Sequence, residues 1–310
     1  TYGIFFSFLC VMFRAYYVGI TQTKILTVNS IVMLLSNVAL NYCLIFGKGG
    51  FPAAGIAGAA IASSVSEAVS LLFFIIYTSM TADKRKYGFR RAFTLRPHLL
   101  KGMLSISGWT MVQSFISVSI WFIFFLAIEH LGERPLAVTN IVRNISALLI
   151  MVISAFATTA GALISNQIGA GEQRCLFKTC GMTLKLTYAI LIPLLIILCL
   201  FPEPVLRAFT DSPSLIAASV NSVYVMASST LIMAPSFILF NAVSGTGNTK
   251  AGFIMEMISL AVYTAVIYYG IIRLKPDVAL CWFSEHVYGV TLIILAWWYL
   301  KSGKWRGKKV

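Results

Sequence analysis

The chain has 310 residues, of which 59% are hydrophobic and 11% charged, with a mean hydropathy of +0.87 and a net charge of +14. A soluble domain of this length cannot hide that much apolar surface, so the composition excludes the soluble classes and implies a polytopic membrane protein. No segment shows the strict alternation of a membrane barrel, which leaves an all-α fold.

Nine apolar segments reach the roughly 20 residues needed to cross a hydrocarbon core about 30 Å thick. They are predicted at 1–19, 24–46, 55–79, 103–128, 136–165, 178–201, 214–243, 251–272 and 279–300. The chain starts at Thr1 inside an apolar segment, without an initiator Met or a signal-peptide layout, and reads as a fragment that lacks its N-terminal part. Segment 24–46 carries Asn37 and Asn41, an i, i+4 polar pair suited to a cavity wall or to an interhelical hydrogen bond. In 55–79, Gly55, Gly58, Ala59 and Ala62 offer a close-packing surface, and Ser63, Glu67 and Ser70 form a polar stripe at i, i+4 and i+7.

An ionised carboxylate within a bilayer is expensive, so such an acid is protonated, paired or turned to a water-filled cavity. Glu67 is therefore a candidate for ion coupling, with a protonated packing contact as the bland alternative. The stretch 80–102 is the most polar inside the chain and reads as a basic linker. Segment 103–128 carries Gln113 and Ser117, a further i, i+4 pair. In 136–165, Asn140, Arg143, Asn144 and Ala147 make a face too polar for lipid.

Pro193 and Pro235 interrupt 178–201 and 214–243, and Pro235 is a candidate hinge. Glu256 lies six residues past Lys250, where a helix dipole favours an acid and headgroup water is within reach; it is a candidate cavity residue with a strong structural alternative. Glu285, in the last segment, stands at a depth similar to Arg143, and the two are expected to pair as a gate or as a packing contact.

The basic charge is distributed by side. With loops assigned alternately, one side collects sixteen Lys and Arg residues, among them Lys24, Lys101, Arg174 and Lys301, and the other five. That asymmetry follows the positive-inside rule and places the C-terminus in the cytoplasm, so the charge speaks for topology and lipid contact rather than nucleic acid. The six cysteines and three histidines show no metal or redox spacing, and no cofactor is implied.

A repeat is visible. Phe13-Arg14-Ala15, "GITQTK" at 19–24 and "SEAV" at 66–69 recur as Phe240-Asn241-Ala242, "GTGNTK" at 245–250 and "SEHV" at 284–287, in the same order. Both copies run in the same direction, as expected of a parallel repeat about an axis along the membrane normal.

Several stretches resemble the multidrug and toxic compound extrusion (MATE) family: "FRAYYVGITQTK", "NVALNYCLIFGKGGFPAAGIAGAAIASSVSEAV", "LISNQIGAGEQ", "FNAVSGTGNTK" and "WFSEHVYGV" with "YLKSGKWRGKKV". The resemblance covers nearly the whole chain. It implies a twelve-helix fold of two six-helix lobes facing a central cavity, with a proton or sodium gradient driving export. Residues 1–80 would then be the second half of the first lobe, 81–102 a cytoplasmic linker, 103–300 the second lobe and 301–310 a basic tail. Two departures stand out. The first helix of the first lobe, which bears an acid in some members, is not in this sequence. The first and fourth helices of the second lobe carry no internal Asp or Glu, and Met233 occupies about the place of the expected fourth-helix acid.

The chain contains no Gly-x-x-x-x-Gly-Lys-Ser/Thr loop, so it is not expected to drive transport with ATP. The reading is a secondary active exporter of amphipathic or cationic organic compounds, monomeric, in the plasma membrane, in antiport with H⁺ or Na⁺. A flippase for lipid-linked saccharides is the alternative and ranks second, because it would need a strongly cationic cavity and Arg143 is the only arginine deep in these segments. An intramembrane enzyme is a remote third, because Glu285 and His286, adjacent in one helix, point to different faces.

Overall fold

The structure is a computed structural model that describes residues 3–81 and 97–305, with backbone alone at 99 and 106. The linker's Lys84 to Arg96 and the tail's Arg306, Lys308 and Lys309 lie outside the described residues. All regular structure among the described residues is helical. Among the described residues, eight helices are long and apolar enough to cross a membrane, and a further apolar helix of 17 residues precedes them. The chain divides into two compact units, residues 1–96 and 97–310.

The first unit holds α1 (Gly3–Gly19), α2 (Lys24–Phe46) and α3 (Gly55–Thr81). Its core joins Cys10, Tyr17, Ile25, Leu71 and Phe74. Phe13 stacks on Phe74 with ring centroids 5.6 Å apart, and the Tyr17 hydroxyl meets that of Thr78 at 2.7 Å. Gly58 is needed here: a Cβ would strike the carbonyl of Leu44, so α2 and α3 approach backbone to backbone. Gly55 has no neighbour of that kind; it begins α3 with φ +53°.

The second unit holds α4 (Pro97–Glu129), α5 (Glu133–Gly169), α6 (Leu176–Leu200), the short α7 (Pro202–Arg207), α8 (Pro213–Gly245), α9 (Thr249–Val266), α10 (Val278–Cys281) and α11 (Ser284–Ser302). A π-helical stretch, Ile267–Arg273, continues α9. Pro97, the first described residue of this unit, is already helical, so α4 extends upstream of the predicted 103. The last span is broken. Asp277 caps α10 through Val278, and the chain turns at Trp282 and Phe283 before α11, so Glu285 lies in a first turn rather than within one continuous helix.

Within the second unit, α5 and α8 meet backbone to backbone. A Cβ on Gly245 would stand 2.5 Å from the Gly161 carbonyl oxygen, and one on Gly161 2.9 Å from that of Asn241. With lipid outside, helices associate through close packing of small residues, which these two glycines allow. Buried clusters lie on either side of that seam, one around Val142, Ile153 and Met226 and another around Ala160, Ile238 and Leu300. A third joins Phe124, Ile128, Tyr263 and Ile267, and it borders the site described next. Large apolar side chains such as Phe115, Met151 and Trp298 remain more than half exposed. Apolar patches of that kind are rare on monomers in water and ordinary on a surface that meets hydrocarbon.

Candidate functional site

The second unit lines a half-open cavity of about 250 Å³. Its walls come from five helices: Ser117, Val118 and Trp121 of α4, Ile150 of α5, Met233 and Phe237 of α8, Glu256, Leu260 and Tyr263 of α9, and Glu285 and Tyr288 of α11. Two carboxylates thus share an otherwise apolar and aromatic chamber.

Each acid is held by a tyrosine from the opposite helix. The Tyr288 hydroxyl donates to Glu256, 2.9 Å from Oε1 and 3.1 Å from Oε2, and the Ser117 hydroxyl donates to Oε1 at 2.8 Å. The Tyr263 hydroxyl donates to Glu285 Oε1 at 2.8 Å. The two tyrosine rings meet edge to face, centroids 5.8 Å apart. Glu256 is 4% exposed and Tyr263 3%. Glu285 also gains from its place in the first turn of α11, where the helix dipole favours negative charge. Both acids accept hydroxyl donors and retain free lone pairs toward the cavity, an arrangement that suits a proton or a hard cation.

The position of Glu256 corrects the sequence reading. Six residues past Lys250, it was expected to reach headgroup water; instead α4 and α11 cover it and donate to it. Nearness to a helix end is not exposure when that end is packed inside a bundle. Met233, in place of the expected fourth-helix acid, lines the same cavity, so the acids here come from α9 and α11.

The predicted ion pair between Arg143 and Glu285 is absent. Glu285 takes the Tyr263 hydroxyl, while the Arg143 guanidinium lies over the Phe125 ring at 5.3 Å and its Nε has no hydrogen-bond partner. Similar depth did not bring the two together, since Phe125 of α4 occupies the cationic face of α5. Asn140 donates to its own helix at Leu136, and Asn144 is exposed. Neither lines the cavity, nor does Gln113, although its neighbour Ser117 does.

In the first unit the polar stripe of α3 diverges. Ser63 is exposed, Glu67 half-buried and Ser70 fully buried, and no side-chain hydrogen bond to the Glu67 carboxylate is found among the described residues. Ser70 belongs instead to a buried network that the sequence did not reveal. Asn29 Nδ2 donates to Ser70 Oγ at 2.8 Å, Ser70 donates back to Asn29 Oδ1 at 3.2 Å, and the Cys10 thiol donates to Ser70 at 3.5 Å. Asn41 and Asn37 bond to each other at 2.8 Å.

His286 Nε2 lies 2.9 Å from Ser228 Oγ, but its Nδ1 has no partner and no acid orients it. Ser228 also donates to Val225 of its own helix. This is a helix contact between α8 and α11 and lacks the third member of a nucleophilic triad.

The model of the MatE family matches residues 110–269, more than half of the chain. The chain is 26% identical over 291 residues to the probable multidrug resistance protein NorM of Thermotoga maritima, covering 88% of this chain and 59% of that protein. It is 25% identical over 268 residues to the uncharacterized transporter YisQ of Bacillus subtilis, covering 83% and 56%. The chain thus spans a little over half the length of these relatives. Its fold is similar to that of the Vibrio cholerae MATE transporter VcmN in the bent form, with a TM-score of 0.78 at 14% identity over 97% of this chain and 68% of that one. The α4–α9 region that supplies most of the acid cavity lies almost wholly within the matched residues, and the chain belongs to the MatE family, the multidrug and toxic compound extrusion family its motifs resemble.

Proposed function

We propose that this chain is part of a secondary active multidrug efflux transporter. In this reading it supplies the second half of a first lobe and the whole of a second, and missing helices complete the first. Amphipathic or cationic organic compounds leave in antiport with H⁺ or Na⁺ as two lobes alternate in access around a central cavity. The C-terminus lies in the cytoplasm in this reading, which the charge asymmetry supports. Small organic solutes and membrane lipids are its partners, and it works as a monomer.

One observation supports the reading above the rest: Glu256 and Glu285 share an apolar, aromatic chamber and are each held by a tyrosine. Loading a proton or Na⁺ onto these acids changes the charge of a buried chamber by a whole unit, which is enough to bias two conformations that differ in its hydration. The flippase alternative calls for a cationic chamber to hold pyrophosphate. No Lys or Arg lines this one, and its two acids would repel such a ligand.

The test uses the full-length parent protein in proteoliposomes. Export of a cationic dye is followed under an imposed H⁺ or Na⁺ gradient for wild type, Glu256→Gln, Glu285→Gln and Glu67→Gln. Glu256→Gln is expected to keep dye binding and to lose gradient-driven export by about tenfold or more, on the scale of a lost charged hydrogen-bonding site. The gradient that drives wild type names the ion. Normal export by the Glu256→Gln, Glu285→Gln double variant would move coupling out of this chamber, with Glu67 as the next acid to examine.

A further inference from the structure

Pro235 stands inside α8 and brings no backbone N–H, so the carbonyl of Leu231, four residues earlier, has no helical partner. Leu231 is 39% exposed on a helix that is long and apolar enough to span a bilayer. Hydrocarbon offers no water to a carbonyl freed in that way, and a neighbouring helix must satisfy it. Here the Tyr188 hydroxyl of α6 donates to the Leu231 oxygen at 2.7 Å. The Tyr188 ring packs against the buried cluster around Val142, Val223 and Leu191, which fixes where its hydroxyl can reach.

The same turn of α8 is held from a third helix. A Cβ on Gly289 of α11 would stand 3.0 Å from Ile232 Cγ2 and 3.6 Å from Met233 Sδ. Gly289 directly follows Tyr288, whose hydroxyl grips Glu256, and Met233 lines the acid cavity. The turn weakened by Pro235 is therefore also the turn that forms one wall of the cavity.

We propose that Tyr188 is a positioning residue for that wall: its hydroxyl takes the place of the amide that Pro235 lacks and keeps the 231–235 turn of α8 set against α11. Movement of α8 at Pro235 then requires this bond to break or to travel with the turn, which ties the shape of the acid cavity to the state of α8.

The test is a double-mutant cycle in the full-length parent protein. Ala at 235 returns an amide to the Leu231 carbonyl, so Tyr188→Phe should matter only while Pro235 is present. Thermal unfolding in detergent is expected to fall by about 3 °C for Tyr188→Phe in the native background and by less than about 1 °C in the Pro235→Ala background. Equal shifts in the two backgrounds, or no shift in the native one, would overturn the proposal. Pro235→Ser restores the same amide and replaces Pro235→Ala if the latter does not fold.

A second readout separates positioning from simple stability and rests on the transport reading above. In proteoliposomes, Tyr188→Phe is expected to raise the Na⁺ or H⁺ concentration giving half-maximal dye export about threefold, with the maximal rate kept within about twofold. In the Pro235→Ala background the hydroxyl should have no effect on either quantity. A fall in maximal rate alone would reject the positioning role. If wild type shows no gradient-driven export, the transport reading fails, while the unfolding cycle still decides the role of Tyr188.

Discussion

The two tyrosines of the cavity should differ in worth, and the structure says in which order. Glu285 has a single hydroxyl donor among the described residues, Tyr263 at 2.8 Å, whereas Glu256 has two, Tyr288 and Ser117. Replacing tyrosine by phenylalanine keeps the ring, so the edge-to-face contact of the pair and the packing of Tyr263 with Phe124 are retained. What is lost is one donor to a carboxylate, buried in Glu256 and half-buried in Glu285. Leaving such a group unpaired costs about 1–3 kcal/mol. Tyr263→Phe strips Glu285 of its donor and belongs at the upper end, about 2–3 kcal/mol. Tyr288→Phe leaves Ser117 in place and belongs near 1 kcal/mol, on the scale of one net hydrogen bond.

At roughly 2–4 °C per kcal/mol for a unit of this size, the midpoints should fall by about 4–12 °C and about 2–4 °C. The assay is tryptophan-fluorescence unfolding of the purified protein at fixed pH and detergent. Adding Glu285→Leu to Tyr263→Phe removes the stranded acceptor and should recover most of the loss, because deleting both partners of a buried pair is far milder than deleting one. A larger loss for Tyr288→Phe, or no recovery in the double variant, would show that these hydroxyls do not hold the acids as described.

The helix seams give further tests. Gly245→Ala places a methyl 2.5 Å from the Gly161 carbonyl oxygen, where only backbone can give way, and should cost about 2–3 kcal/mol by forcing α5 from α8. Gly181→Ala, with open space around it in α6, should be neutral or gain up to about 1 kcal/mol; comparing the unfolding midpoints of the two variants checks the difference. In the first unit, Ser70→Ala leaves the Asn29 amide without its partner inside packed helices and should cost about 1–3 kcal/mol. Asn29→Leu combined with Ser70→Ala should be less destabilising than Ser70→Ala alone, measured by limited proteolysis of α1–α3; a greater loss in the double variant would mean that the network has members beyond Asn29, Ser70 and Cys10.

The helices were legible because a bilayer leaves so few ways to satisfy a backbone: a long apolar run has to become a helix. Their ends were less so. Pro97 to Gly102 read as part of a polar linker but belong to α4, and Asp277 caps a separate short helix where the sequence reads as one continuous span. Of the site, the sequence marked both Glu285 and Glu256 as candidates but placed Glu256 within reach of headgroup water by its distance from Lys250, since burial depends on neighbours that a single helix does not reveal. The tyrosines left a signal that depth alone could not use. Tyr263 follows Glu256 by seven residues and Tyr288 follows Glu285 by three, so each helix presents an acid and a tyrosine on one face. Two such helices running antiparallel bring the acid of one level with the tyrosine of the other, and this crossed pairing is what the structure holds. Seven residues rise about 10 Å and three about 4.5 Å, a mismatch that the long Glu and Tyr side chains absorb by leaning toward each other. Parallel helices would instead set acid beside acid, the arrangement that costs most in a cavity this apolar.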